Sequence, residues 1–165
     1  MTDATRHSTL PSAEAASSQR AAWLAVLSRA TAAELAGVAS TMLAEYHFEW
    51  LREPEQGLAM VRARIGNTGD RFNLGEATMT RCAVRHRTAD GSTIAGVGYV
   101  LGRDDERATY VAQLDALLQV KAVHDLVVKG VIERLRGMAK KRIDDECART
   151  QASRVRFFTL QPEVT

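Results

Sequence analysis

The sequence predicts an α+β domain, an antiparallel sheet of at least three strands with an N-terminal helical hairpin and C-terminal helices. Three observations point there. Apolar residues follow helical spacing up to about Tyr46, alternate over residues 57–65 and 77–87, and return to helical spacing after Asp104. Asp90–Gly91 gives a hairpin-turn signal between the second alternating run and a third over residues 93–101. The strands follow one another instead of alternating with helices, which is the α+β order.

Residues 1–17 mix Ser, Thr, Ala and Pro11 without apolar periodicity, so a disordered tail is expected there and a single domain over 18–165. Trp23, Leu24 and Leu27 make residues 21–27 a short helix. Thr31 followed by Glu34 is a capping-box signature opening a second helix, in which Leu35, Val38, Met42 and Leu43 share a face. In the first strand Ala59, Val61, Ala63 and Ile65 oppose Met60, Arg62 and Arg64. In the second, Thr78, Thr80, Cys82 and Val84 oppose Met79, Arg81, Ala83 and Arg85. Gly96 and Gly98 share a face of the third strand, where a helix or partner backbone can come close. Asp104, Asp105 and Glu106 favour the first turn of a third helix, whose stripe is Val111, Leu114, Leu117 and Leu118. A longer helix is expected over 123–149, weakened at Gly130 and Gly137, and a final short strand over 155–160.

Composition excludes several classes. With 22 basic and 20 acidic residues the net charge is only +2, unlike the basic balance of a general nucleic-acid binder. Two cysteines without a CxxC pair fit a reducing, cytoplasmic setting and no structural disulfide. No apolar run approaches the ~20 residues of a membrane span, so neither membrane nor nucleic acid is an expected partner. Aromatic residues are only 5% of the chain, which leaves the core to Ala, Val, Leu and Ile.

The chain carries few signatures of catalytic chemistry. His7, His47, His86 and His124 are scattered, with no helical i, i+4 ligand pair. Cys82 and Asp90 flank His86 four residues to either side, about 13 Å along a strand and too far to share an ion. Cys82, in mid-strand, reads as a buried inert thiol. No Gly-x-Ser-x-Gly or Walker-type loop is present. Neither a catalytic residue nor a metal site is assigned.

The stretch from Arg64 to Arg85 is the richest in the chain, with glycines at 66, 69 and 75 and arginines at 64, 71, 81 and 85. As a tentative anion-binding loop it offers turn amides at Gly66 and Gly69, the Thr68 hydroxyl, and the guanidiniums of Arg64 and Arg71. The alternative is an ordered connection whose arginines pair with Asp70, Glu76 or another subunit. If the strand registers align, Arg62, Arg64, Arg81 and Arg85 project from one sheet face and must meet water, acids or a ligand. Asp104, Glu106 and Asp115 are their expected partners. Asp115, interrupting the apolar stripe between Leu114 and Leu117, is expected to be held by one of these arginines.

The same stretch, together with Tyr99–Asp104 (Tyr-Val-Leu-Gly-Arg-Asp), Asp115–Gln119 (Asp-Ala-Leu-Leu-Gln) and Ser153–Leu160 (Ser-Arg-Val-Arg-Phe-Phe-Thr-Leu), strongly resembles the PhnG family, the G subunits of the bacterial carbon–phosphorus lyase core complex. The four blocks occur in the family's order and span the chain from about Trp23 onward. The resemblance implies assembly with H, I and J subunits, most directly the I subunit. It implies that G and H accompany I in forming α-D-ribose 1-alkylphosphonate 5-triphosphate and adenine from MgATP and an alkylphosphonate. The isolated chain is then expected to be inactive and to bind no cofactor of its own, MgATP being a co-substrate of the complex. Arg107 and Thr109 stand where the family commonly has His and Glu, and Arg156 where it has Asp. Competing readings are a free-standing nucleotide- or phosphate-binding module built on the 64–76 loop, and a purely architectural protein.

Overall fold

The computed structural model describes residues 13–154. Two helices, α1 (Ala13–Leu27) and α2 (Ala32–Leu43), precede three strands, β1 (Glu49–Arg64), β2 (Arg71–Arg87) and β3 (Thr93–Leu101). Helices α3 (Asp105–Leu118), α4 (Lys121–Val127) and α5 (Glu133–Ala152) follow, with a π-helical turn over Val128–Ile132 joining the last two. The sheet is antiparallel in the order β1-β2-β3. The architecture is the α+β arrangement that the switch of period predicts.

Helix α1 begins at Ala13, eight residues before the expected start. Residues 13–22 carry Ala, Glu, Gln and Arg, good helix formers without an apolar stripe, so propensity marks this turn where periodicity does not. The first twelve residues of the expected tail, and the expected strand over 155–160, lie outside the described residues. Helix α2 opens on the capping box: Thr31 accepts from the Glu34 amide and the Glu34 carboxylate accepts from the Thr31 amide. The long C-terminal helix is continuous through Gly137, and the break falls at Gly130 as the π turn.

Both β1 and β2 are longer than alternation alone shows. The segment Glu49–Gln56 is charged and contains Pro54, yet it is extended because it pairs with residues 80–85. Pro54 is tolerated because β1 is an edge of the described sheet, with a register shift between Trp50 and Arg52 and a second, between Arg52 and Glu55, that spans the proline itself. Residues 70–76, expected as loop, are mostly strand.

One face of the sheet carries the core. Thr80, Cys82 and Val84 of β2 and Val100 of β3 meet α3, which is buried on nearly every side: Val111, Ala112, Leu114, Ala116, Leu117 and Leu118 are all inaccessible. Helices α1, α2 and α4 close over it from the other side, with Leu27, Leu35, Val127 and Val131 in the same cluster. Gly96 and Gly98 permit the approach. A methyl at Gly96 would lie 2.0 Å from the Ala112 carbonyl oxygen, and one at Gly98 2.1 Å from that of Ala108. The opposite face of the sheet, bearing Arg81, Arg85, Tyr99 and Leu101, is covered by no element among the described residues.

Candidate functional site

Strand β3 ends at Leu101, paired to Met79, so beyond that point β1 and β2 continue alone. Residues 58–78 form a two-stranded arm reaching roughly 20 Å past the three-stranded sheet at about 3.3 Å per residue. A register shift between Val61 and Arg62 leaves Leu74 as an extra residue on β2, and Gly75 beside it adopts a φ of 154°, open to glycine and unfavourable to side chains.

The tip of the arm gathers all five of the loop residues named from sequence. Arg64 and Arg71 are opposite one another in the last pair of the ladder. Between them Ile65–Asn67 form a 3-10 turn with Gly66 left-handed at φ 55° and ψ 31°. The amides of both Thr68 and Gly69 donate to the Ile65 carbonyl, the latter at 2.8 Å, so these donors are spent inside the turn. The Thr68 hydroxyl reaches the Gly66 carbonyl only at 3.5 Å. The anion-seeking groups that remain are the guanidiniums. Among the described residues Arg62, Arg64 and Arg71 have no ion-pair partner, and neither Asp70 nor Glu76 reaches them.

The expected single face of four arginines does not form. Through the middle of the hairpin, Gln56 pairs with Thr80 and Val61 with Gly75, so residues of equal parity share a face. Arg81 and Arg85 therefore lie with Glu55 and Glu49 on the uncovered side, while Arg62 and Arg64 alternate to the other. Arg81 Nε donates to Glu55 at 2.5 Å and Arg85 Nε to Glu49 at 2.7 Å. These hydrogen bonds hold both exposed carboxyls below their usual range.

Asp115 is not held by a strand arginine either. Its wholly buried carboxylate accepts from Arg20 Nη2 at 2.6 Å, Trp23 Nε1 at 2.9 Å and the Val97 amide at 2.9 Å. Arg20 and Trp23 come from α1, 95 and 92 residues away in sequence, a distance at which no local signal operates. Gln119 adds a bond to the Ala95 carbonyl at 2.9 Å. These side chains thus satisfy main-chain groups on the outer edge of β3. Beside them Gln19, Trp23, Lys121 and His124 line an open cleft of about 540 Å³. His124 already bonds the Leu118 carbonyl through Nδ1 at 2.6 Å.

Cys82 is buried, and burial pushes its thiol up to about 11, aided by the negative charge of Asp105 and opposed by a hydrogen bond from the Gly98 backbone. Among the described residues no three His, Cys, Asp or Glu side chains converge on a point. No single described helix is long and apolar enough to cross a membrane. Arg107 and Thr109, expected from the resemblance to depart from the family pattern, make local bonds. Arg107 binds the Leu101 carbonyl and lies 3.4 Å from the carboxylate of Asp104, the residue that caps α3, while the Thr109 hydroxyl donates to the Asp105 carbonyl at 2.7 Å. Arg156 lies outside the described residues.

Comparison with known proteins agrees with the sequence blocks. Residues 18–161 match the family model described as phosphonate metabolism protein PhnG. The chain is 39% identical over 151 residues to the α-D-ribose 1-methylphosphonate 5-triphosphate synthase subunit PhnG of Rhizobium meliloti (strain 1021). That alignment covers 89% of this chain and 91% of the relative.

Proposed function

We propose that this chain, which belongs to the PhnG family of phosphonate metabolism proteins, is an accessory, non-catalytic subunit of an α-D-ribose 1-alkylphosphonate 5-triphosphate synthase. The observation that carries the reading is identity of 39% sustained over nearly the whole length of a subunit of such a synthase. The chain's own chemistry is consistent with it. Among the described residues the one fully buried carboxylate, Asp115, is consumed by structural donors, and the buried thiol of Cys82 is held protonated.

In this reading the assembly transfers the ribose 5-triphosphate of MgATP from adenine to a phosphonate oxygen, and the reacting groups belong to other subunits. The partners are the H, I and J subunits, the I subunit most directly, in the cytoplasm. The chain contributes a projecting arm whose tip presents Arg64 and Arg71 without carboxylates of their own among the described residues.

Co-expression with the I subunit of the same organism, followed by size-exclusion chromatography, tests the proposal. Co-elution as one stable species is the expected result. A well-folded monomer that ignores the I subunit, and adds nothing to synthase turnover when mixed with the other subunits, would overturn it.

A further inference from the structure

We infer that the arm formed by residues 58–78 docks as a two-stranded ribbon against another subunit of the synthase, on a surface that is apolar along the arm and carries carboxylates opposite Arg62, Arg64 and Arg71. The inference rests on the subunit reading and names the surface that reading requires.

Apolar exposure is concentrated on this element. Leu58, Met60, Ile65, Phe72 and Leu74 are exposed by 65, 53, 69, 40 and 63% respectively. Such residues scattered singly over a surface are ordinary, but gathered on one projection they mark an interaction site. A two-stranded ribbon is moreover at best marginally stable in water by itself. The arm meets this description along its whole length.

Its edges are open as well. Among the described residues no strand lies beyond β1, and none pairs with the outer edge of β2 over residues 71–77, while the Thr78 carbonyl accepts from the Gly102 amide. The base of β1 carries the usual protection of an edge, with Pro54 and the Arg52–Glu55 ion pair. That protection stops where the arm begins: Gly57 to Val61 contains no charge and no proline. Main-chain groups there are free to accept a strand from another chain.

The charge pattern selects the occupant. Like charges directly across a ladder are unfavourable, yet Arg64 and Arg71 are so placed, with Arg62 close by and no acid paired to any of them among the described residues. A second copy of the chain, docking tip to tip about a two-fold axis, would set these arginines against their own equivalents. A different chain bearing carboxylates removes the repulsion.

The test uses the full chain co-expressed with the H, I and J subunits, carrying L58D/L74D, R64E/R71E, or Y99D on the uncovered sheet face as a control. Leu58, Leu74 and Tyr99 are all more than half exposed, so melting of each isolated variant should match that of the parent chain. We expect L58D/L74D and R64E/R71E each to lower recovery of the assembly about tenfold or more, and Y99D to retain it. Hydrogen exchange on the unmodified complex serves as a second readout, with slower exchange over 58–78 than in the isolated chain. Full recovery with L58D/L74D, or unchanged exchange over 58–78, overturns the assignment while leaving the subunit reading intact. A homodimer of the isolated chain that L58D/L74D abolishes overturns the choice of occupant. Failure of the parent chain to assemble at all overturns both.

Discussion

Asp115 and Arg20 meet at 2.6 Å across the interface of α3 and α1, with the carboxylate wholly buried and the guanidinium side chain one-third exposed. The same carboxylate accepts from the Trp23 indole and the Val97 amide, so one side chain binds the N-terminal helix, the central helix and the edge strand together. Replacing Asp115 with Ala leaves those two donors unpaired inside the protein. We expect a loss of about 3 kcal/mol in unfolding free energy from the desolvated donors, read from urea denaturation monitored by Trp fluorescence.

Gly98→Ala places a methyl group 2.1 Å from the Ala108 carbonyl, so α3 must leave the sheet or the strand must bend. Overpacking of this kind costs about 1–3 kcal/mol, and here the obstacle is backbone, so the upper end or more is expected. Gly57→Ala, also in a strand but with nothing within 4 Å, should change stability by less than about 1 kcal/mol. Thermal melts of the two variants side by side check the contrast.

The two thiols should differ in reactivity. The exposed Cys147 is expected to react promptly with a disulfide reagent at pH 8, whereas Cys82 stays protonated because burial raises its thiol to about 11. Its thiolate form is not reached until the solution is strongly alkaline, so one rapid thiol equivalent per chain is the expected count in a timed titration, rising to two on unfolding.

The turn joining β2 and β3 should carry an acid-sensitive contribution. Asp90 accepts from the Thr88 hydroxyl and from the Ser92 amide and hydroxyl, which lowers its carboxyl to about 2. Because the folded value lies below the ordinary 3.8, the contribution is complete above that value and is lost as pH falls toward about 2. NMR titration of the Asp90 carboxyl should show the depressed midpoint, and Thr88→Val should return it toward the ordinary value.

Arg64→Gln removes one member of the cross-strand pair at the tip. In the isolated chain this should leave stability unchanged or raise it by a few tenths of a kcal/mol, since a like-charge contact is relieved. Denaturation of the isolated variant beside the parent chain checks the sign, and a clear loss would show that Arg64 has an intramolecular role.

Much of this protein is written locally. The Thr31–Glu34 cap, the Asp90–Gly91 turn and the alternation of β2 each depend on residues within a few positions, so spacing and residue type suffice to read them, and the pair Gly96 and Gly98 on one strand face marks where a helix can come close. The four sequence blocks likewise pointed to the family that the comparisons bear out. The tertiary structure decided the rest. Alternation tells which residues share a face within one strand, but only the register says which face a neighbouring strand shares with it. That register, with Gln56 opposite Thr80 and Val61 opposite Gly75, separates Arg62 and Arg64 from Arg81 and Arg85. Burial of Asp115 beneath Arg20 joins residues 95 apart, and the arm projects only because β3 stops at Leu101. Those are properties of chain packing over long separations, and no window of sequence contains them.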